Sequence, residues 1–279
     1  MALIIDVETT GLPIRGNLPY GENPPYTKLD LYKDARIVQI SIMLCNENFE
    51  QIELHDFIVR TNGFKIGNSE FHGITDDISA SKGIPFSDIS SILSTYLKQV
   101  SHIIAHNANF DISIIKSELF RLDMQHIIDE IDLKHILCTM KHTKNIVKAR
   151  NKYGIKEPSL AELYSFVTKT SLNNAHNSKY DVINLHHAIK LLHDSDQLKY
   201  NIKMIYTSLS LCNSKDDASI AEIASIAQVA EIASVAQIAE IDFTKLKLVE
   251  LHKYCKEHNI KGYSKLNKQS IIELLIVKK

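Results

Sequence analysis

Apolar residues run from Ala2 to Ile5 and then give way to Asp6, Val7 and Glu8. The run predicts a buried strand. Side chains alternate between the faces of a strand, so Asp6 and Glu8 share a face and Val7 points the other way. Residues 36–45, RIVQISIMLC, predict a second buried strand, and the alternating 51–59, QIELHDFIV, a half-exposed third. Helical spacing recurs near 86–100 and at 109–122, with a short apolar strand, HIIA, between them at 102–105 and another over 136–138. PSLAELY (158–164) reads as a helix opened by Pro158 and Ser159. KYDVINLHHAIKLLHD (179–194) reads as a further amphipathic helix. Strands first, then strands alternating with helices, predict an α/β domain over 1–195.

The pattern changes after that. Residues 196–241 read as a connector, within which 220–241 repeats an Ile/Val-Ala-polar tripeptide. A period of 3 matches neither a strand nor an ideal helix, and its β-branched positions would spiral around a helix surface. Ala and Glu still favour helix, so a low-complexity, helical linker is expected. Residues 242–279 hold two amphipathic helical patterns separated by NIKGYSKLNK, which predicts a second, small all-α domain. The segment Gly11 to Ala35, with Pro13, Pro19, Pro24 and Pro25, is expected to be a long loop beside Asp6 and Glu8.

Composition adds little to this except by exclusion. Of the 279 residues 44% are hydrophobic and 23% charged, the balance of an ordinary globular chain. No apolar run approaches the roughly 20 residues that span a bilayer, and no basic segment precedes the first apolar stretch, so neither a membrane span nor a signal peptide is expected. Four cysteines without a CxxC pair argue against a zinc site and a disulfide scaffold, and imply an intracellular, reducing compartment, cytoplasmic or nuclear. The net charge of −1 conceals an asymmetry. Residues 242–279 carry nine lysines against four carboxylates, whereas the body is mildly acidic. That division suits a body that holds cations and a tail that touches a polyanion.

Two carboxylates on one face of a buried strand repel each other and lose hydration, and a divalent cation compensates both costs. Asp-x-Glu alone is uninformative, because a chain of this length shows roughly one such pair by chance. Its setting carries the information: a buried strand before it, Thr-Thr-Gly-Leu-Pro after it, and two further acids in matching frames. Asp111 lies at a helix start in AHNANFD (105–111), and Asp181 at another in AHNSKYD (175–181), five residues after His176. Helix capping explains either aspartate taken singly. Together the four acids form an oxygen-rich set suited to two divalent ions. On these grounds removal of Asp6 or Asp111 is expected to abolish such chemistry while relieving repulsion in the metal-free chain.

These motifs resemble those of the DnaQ-like DEDD exonucleases of the RNase H-like fold, in the subgroup with a histidine in the third motif. The matching stretches are Asp6-Val-Glu8-Thr-Thr-Gly-Leu, His106-Asn-Ala-Asn-Phe-Asp111 and His176-Asn-Ser-Lys-Tyr-Asp181, with lesser agreement at 36–41, 71–75, 138–140 and 159–164. The resemblance covers about 1–193. It implies a three-layer α/β fold with a five-stranded mixed sheet and 3′→5′ hydrolysis of nucleic acid to nucleoside monophosphates, DNA being favoured. It further implies two Mg²⁺ or Mn²⁺ ions on Asp6, Glu8, Asp111 and Asp181, with His176 as general base. Thr9, Thr10, Gly11 and Leu12 would meet the 3′-terminal nucleotide, and His106, Asn107 and Phe110 would lie at the substrate. Cys138 and Asn177 stand where many relatives have aspartate.

The C-terminal stretch resembles the small Rho N-terminal and SAP-like domains that bind nucleic acid. Lys261, Lys265 and Lys268 would then contact phosphate. An RNA-trimming exonuclease and a catalytically silent nucleic-acid-binding protein are the competing readings. A separate polymerase or repair protein is the implied protein partner, and the oligomeric state is open.

Overall fold

The run that opens the chain forms β1 (Ala2–Thr9), buried from Ala2 to Ile5 and half-buried at Asp6 and Glu8. This computed structural model describes residues 1–19, 21–172 and 177–198, together with Leu248, Leu251, Asn267, Lys268 and Ile271. β1 lies at the centre of a five-stranded sheet. β2 (Ile37–Cys45), buried along its whole length, pairs antiparallel with it, and β3 (Gln51–Ile58) extends that side as an edge strand. β4 (His102–Ala105) and β5 (His135–Cys138) extend the other side in parallel, so the order is β3-β2-β1-β4-β5. The sheet is mixed because β2 returns antiparallel after the long loop, a short turn leads from β2 to β3, and β4 and β5 are each reached by helical crossovers.

The helices follow in chain order. A 3₁₀ turn at Leu29–Tyr32 interrupts the long loop. Then come α1 (Ser69–His72), α2 (Asp76–Lys82), α3 (Phe86–Leu97), α4 (Ala108–Arg121), α5 (Gln125–Asp132), α6 (Thr139–His142) and α7 (Lys144–Val147). A two-stranded hairpin, β6 (Arg150–Asn151) and β7 (Gly154–Ile155), precedes α8 (Leu160–Thr168) and α9 (Ser178–Asp194). Ser159 caps α8 with a reciprocal capping box to Glu162, as the sequence there suggests.

Alternation along β1 decides what each face meets. Ala2 and Ile4 pack with Met43, Ile104, Val182 and Leu185 under α8 and α9. Leu3 and Ile5 project to the opposite side, where α4 packs along the sheet. The result is the three-layer α/β architecture, with helices on both faces of the sheet. The loop between Gly11 and Ala35 is docked rather than free. Asn109 Nδ2 donates to Gly21 O at 2.6 Å, Asn23 Nδ2 to Asn109 O at 3.0 Å, and Arg121 to Leu29 O at 3.1 Å. All three bonds tie the loop to α4.

The chain divides into two units, Met1–Asn213 and Ser214–Lys279. Of the second, Leu248, Leu251, Lys268 and Ile271 are helical, Leu251 and Ile271 are buried, and Lys268 is exposed. The 220–241 repeat, Lys261 and Lys265 lie outside the described residues. Among those described, no helix is long and apolar enough to cross a membrane, and Cys45 and Cys138 are free thiols.

Candidate active site

Asp6 and Glu8 extend beyond the point where β4 stops pairing with β1, since that ladder runs only from Ala2 to Ile4. They sit on the face that α9 covers. Asp181 comes to them from the first turn of α9. One carboxylate oxygen from each of Asp6, Glu8 and Asp181 can be chosen so that all three lie within 4.8 Å of one another. Asp111 comes from the first turn of α4, is buried, and adds its charge to that of Asp6.

The two helices present their acids in the same way. Asn107 is the N-cap of α4 and Asp111 its fourth residue, while Asn177 is the N-cap of α9 and Asp181 its fourth residue. An aromatic residue, Phe110 or Tyr180, precedes each acid. Asn177 Oδ1 accepts the Tyr180 N–H, a side-chain cap. Asn107 instead takes a left-handed conformation (φ 69°), which asparagine tolerates better than most residues. Neither aspartate is therefore a cap. Both stand one residue past the N3 position, near the positive end of the helix dipole.

The electrostatics are those of a crowded anionic pocket. Burial, then the charges of Asp111, Asp181 and Glu8, push the Asp6 carboxyl well above its ordinary range. Burial and Asp181 push Glu8 up to about 7. Burial pushes Asp111 up to about 8, even though its bond from the Val7 N–H pulls the other way. Without a cation the pocket holds protons that ordinary carboxyls release. A divalent cation fits this donor set, because converging carboxylate oxygens are hard ligands and it would discharge their repulsion.

A polar chain backs the site. Ser41 pairs with Asp6 across β1 and β2, and Asp56 pairs with Ser41 across β2 and β3. Ser41 Oγ lies 2.7 Å from Ser178 Oγ and donates to Asp56 Oδ1 at 2.8 Å, and Gln39 Nε2 donates to the same oxygen at 2.7 Å. Ser178 is the first residue of α9, so this chain ties the helix that carries Asp181 to the strand opposite Asp6. Sequence reasoning missed it. A polar residue at every second position of β2, Gln39 then Ser41, was the available signal.

The other anticipated residues have distinct settings. Thr10 N–H donates to Arg36 O at 2.9 Å, and its hydroxyl donates to Asp34 O at 2.8 Å and accepts from Arg36 N–H at 3.0 Å. Thr9 Oγ1 donates to Gly11 O at 2.7 Å. At Gly11 any Cβ would come 2.7 Å from Asp34 O, so the close passage of these two segments requires glycine. Leu12 is 71% exposed beside them, an apolar side chain with no packing role. Phe110 is half-buried. Both ring nitrogens of His106 are taken up by the fold, Nδ1 at 2.9 Å from Thr139 Oγ1 and Nε2 at 3.0 Å from Pro158 O, and burial pushes its pKa down to about 4. His176 lies outside the described residues.

Fold and acids together define a nuclease-like site of the RNase H-like class, and comparison with known proteins agrees. A family model described as Exonuclease, the RNase T type, matches residues 3–192, and the chain belongs to that family. Residues 3–192 thus form a DnaQ-like exonuclease-family domain, and residues 242–276 match the N-terminal domain of Rho termination factor. The DNA polymerase III subunit epsilon of Buchnera aphidicola from Schizaphis graminum is 31% identical over 52% of this chain and 55% of its own length. That of Buchnera aphidicola from Acyrthosiphon pisum is 28% identical over 67% and 66%. The chain thus spans little more than half of the first of these relatives. In fold it is similar to E. coli Exonuclease I in complex with a dT13 oligonucleotide, with a TM-score of 0.54 at 15% identity over 69% of this chain and 40% of that one.

Proposed function

We propose that the protein removes nucleotides one at a time from the 3′ end of a nucleic-acid strand, with DNA the preferred polymer. The observation that supports this most directly is the convergence of Asp6, Glu8 and Asp181 within 4.8 Å, past the part of β1 that pairs with β4. The preference for DNA rests on the relatives, which are subunits of a DNA polymerase.

Asp6, Glu8, Asp111 and Asp181 would hold two Mg²⁺ or Mn²⁺ ions. Bound divalent cations supply water activation at neutral pH and charge stabilisation at the leaving oxygen. His176, five residues before Asp181, would take the proton from the attacking water, a task suited to a group that titrates near the working pH. Thr9, Thr10, Gly11 and Leu12 form the rim against which the terminal nucleotide would seat, with Leu12 beside its base. The basic 242–279 segment, through Lys261, Lys265 and Lys268, would keep the polymer near the site and raise its local concentration. A separate polymerase or repair protein is the proposed partner, and a reducing intracellular compartment the proposed location.

The test is a gel time course on 5′-labelled single-stranded DNA and RNA of one sequence, with Mg²⁺ or with EDTA. A ladder that shortens from the 3′ end only with metal, faster on DNA, is expected. Faster shortening of RNA would reverse the sugar preference. No shortening of either polymer with Mg²⁺ or Mn²⁺ would overturn the reading.

A further inference from the structure

Between Asp132 and Glu157 the chain has no carboxylate and seven basic residues: Lys134, Lys141, Lys144, Lys148, Arg150, Lys152 and Lys156. This is a local reversal of sign within an acidic body. Lys156 is paired with Glu162. The other six have no carboxylate partner among the described residues. Lys141, Lys148, Arg150 and Lys152 are exposed. Tyr153, at the tip of the β6–β7 hairpin, is 85% exposed, with the Lys152 ammonium 5.0 Å from its ring centre. A ring that exposed contributes nothing to the core, and unpaired cations that close repel one another.

The segment is anchored at the sheet end that carries the carboxylates. It leaves the carboxyl end of β5, which runs parallel to β4 and hence to β1, so it starts at the sheet end that carries Asp6 and Glu8. Open sheets with parallel strands bind ligands outside that end. His106 fixes both ends of the segment, through Thr139 at the start and Pro158 at the finish, and stands five residues before Asp111. Within it, Thr143 Oγ1 donates to Thr139 O at 2.8 Å, and the Lys156 N–H closes the hairpin base on Ala149 O at 2.8 Å.

We propose that residues 141–153 are a second contact for the polymer, on the strand leading to the 3′ end. Lys148, Arg150 and Lys152 meet successive phosphates, and Tyr153 stacks on an unpaired base. Cations that follow a backbone, with an aromatic face among them, are the elements of single-strand recognition. The inference rests on the nucleic-acid substrate proposed above and adds a patch separate from both the carboxylates and the C-terminal lysines.

The experiment uses the full chain and two variants, the triple Lys148→Gln/Arg150→Gln/Lys152→Gln and the single Tyr153→Ala. All four positions are exposed, so thermal unfolding should match the wild type. Two readouts are taken: anisotropy of a labelled 20-nucleotide single-stranded DNA in EDTA, and hydrolysis of that DNA and of a dinucleotide with Mg²⁺. The triple variant is expected to bind the long strand about tenfold more weakly at low salt. Its log–log salt slope should fall by about 2, at ~0.7 per lost phosphate contact. KM on the long strand rises, kcat holds, and dinucleotide hydrolysis is unchanged. Tyr153→Ala raises KM on the single strand but not on a blunt duplex. Wild-type binding and salt slope in the triple variant would overturn the proposal. Binding sensitive to the substitutions, in a wild-type protein that hydrolyses neither substrate, would overturn the exonuclease reading and leave the contact standing.

Discussion

Asp111 Oδ1 accepts the main-chain N–H of Val7 at 3.2 Å. The bond explains why this acid is more deeply placed than the others. Beyond Ile4, β1 has no partner on its β4 side, and a buried N–H there needs an acceptor. Asp111 supplies it from the first turn of α4, so one side chain closes the ladder and belongs to the acidic set.

This dual role separates two substitutions of Asp111. Asp111→Asn keeps an oxygen for Val7 and should fold as stably as the wild type. Asp111→Ala leaves the N–H without a partner and should be less stable than the asparagine variant by about 1–3 kcal/mol. Both should lose hydrolysis. Chemical denaturation of the two variants side by side, in EDTA, checks the order.

Asp6 has no such second duty, and repulsion dominates its surroundings. Asp6→Ala should cut hydrolysis by about 10²–10³-fold or more. It should also raise the melting temperature of the metal-free protein. Full activity in this variant would remove the carboxylate site from consideration.

The metal-free protein should lose stability as pH rises. Glu8 and Asp111 titrate at about 7 and about 8 in the fold, and Asp6 is raised in the same direction. Unfolded carboxyls titrate near 4. Between those limits the folded state binds more protons than the unfolded one, so its stability falls with pH. The contribution is whole below about pH 4 and is lost as pH passes through 7 and 8. Melting curves in EDTA should show the decline, and Mg²⁺ should restore more stability at pH 8 than at pH 5.

Ser178→Ala should test the polar chain behind the site. Loss of the Ser41–Ser178 bond should cost about 1 kcal/mol. The start of α9 would be freed from β2, so more metal would be needed for half-maximal activity. Calorimetric titration with Mn²⁺ measures that shift apart from turnover.

Gly11→Ala should raise KM several-fold and lower the melting temperature. The new methyl would meet Asp34 O at 2.7 Å and push the rim segment outward, away from the acids. Steady-state kinetics on a short oligonucleotide would show it.

Much of the fold was legible because hydrophobic periodicity encodes it directly. The buried run at 37–45, the short strand at 102–105 and the amphipathic helix at 178–194 follow from spacing alone. α2 and α5 were missed: one is seven residues long and mostly exposed, the other eight residues with three buried isoleucines. Neither offers a long enough pattern. The acids were legible because they recur in like frames, Asn107 to Asp111 and Asn177 to Asp181. The docking of the proline-rich loop on α4, the double engagement of His106 and the Ser41–Ser178 link were not. Each joins residues far apart in sequence through a few polar contacts, and no local pattern records such bonds.

The position of β1 at the centre of the sheet has a consequence for how the chain is born. β1, β2 and β3 can pair as soon as some sixty residues have been made, but the other edge of β1 must wait for β4, about a hundred residues on. Such long-range parallel pairing is slow to form. Asp111 arrives just after it, and Asp181 only with α9. A ribosome-bound fragment shorter than that carries three of the four acids but lacks Asp181, which completes the set. If the domain acts as proposed, the growing polypeptide would be inert toward the nucleic acid that surrounds it during translation until α9 brings Asp181 to the other acids.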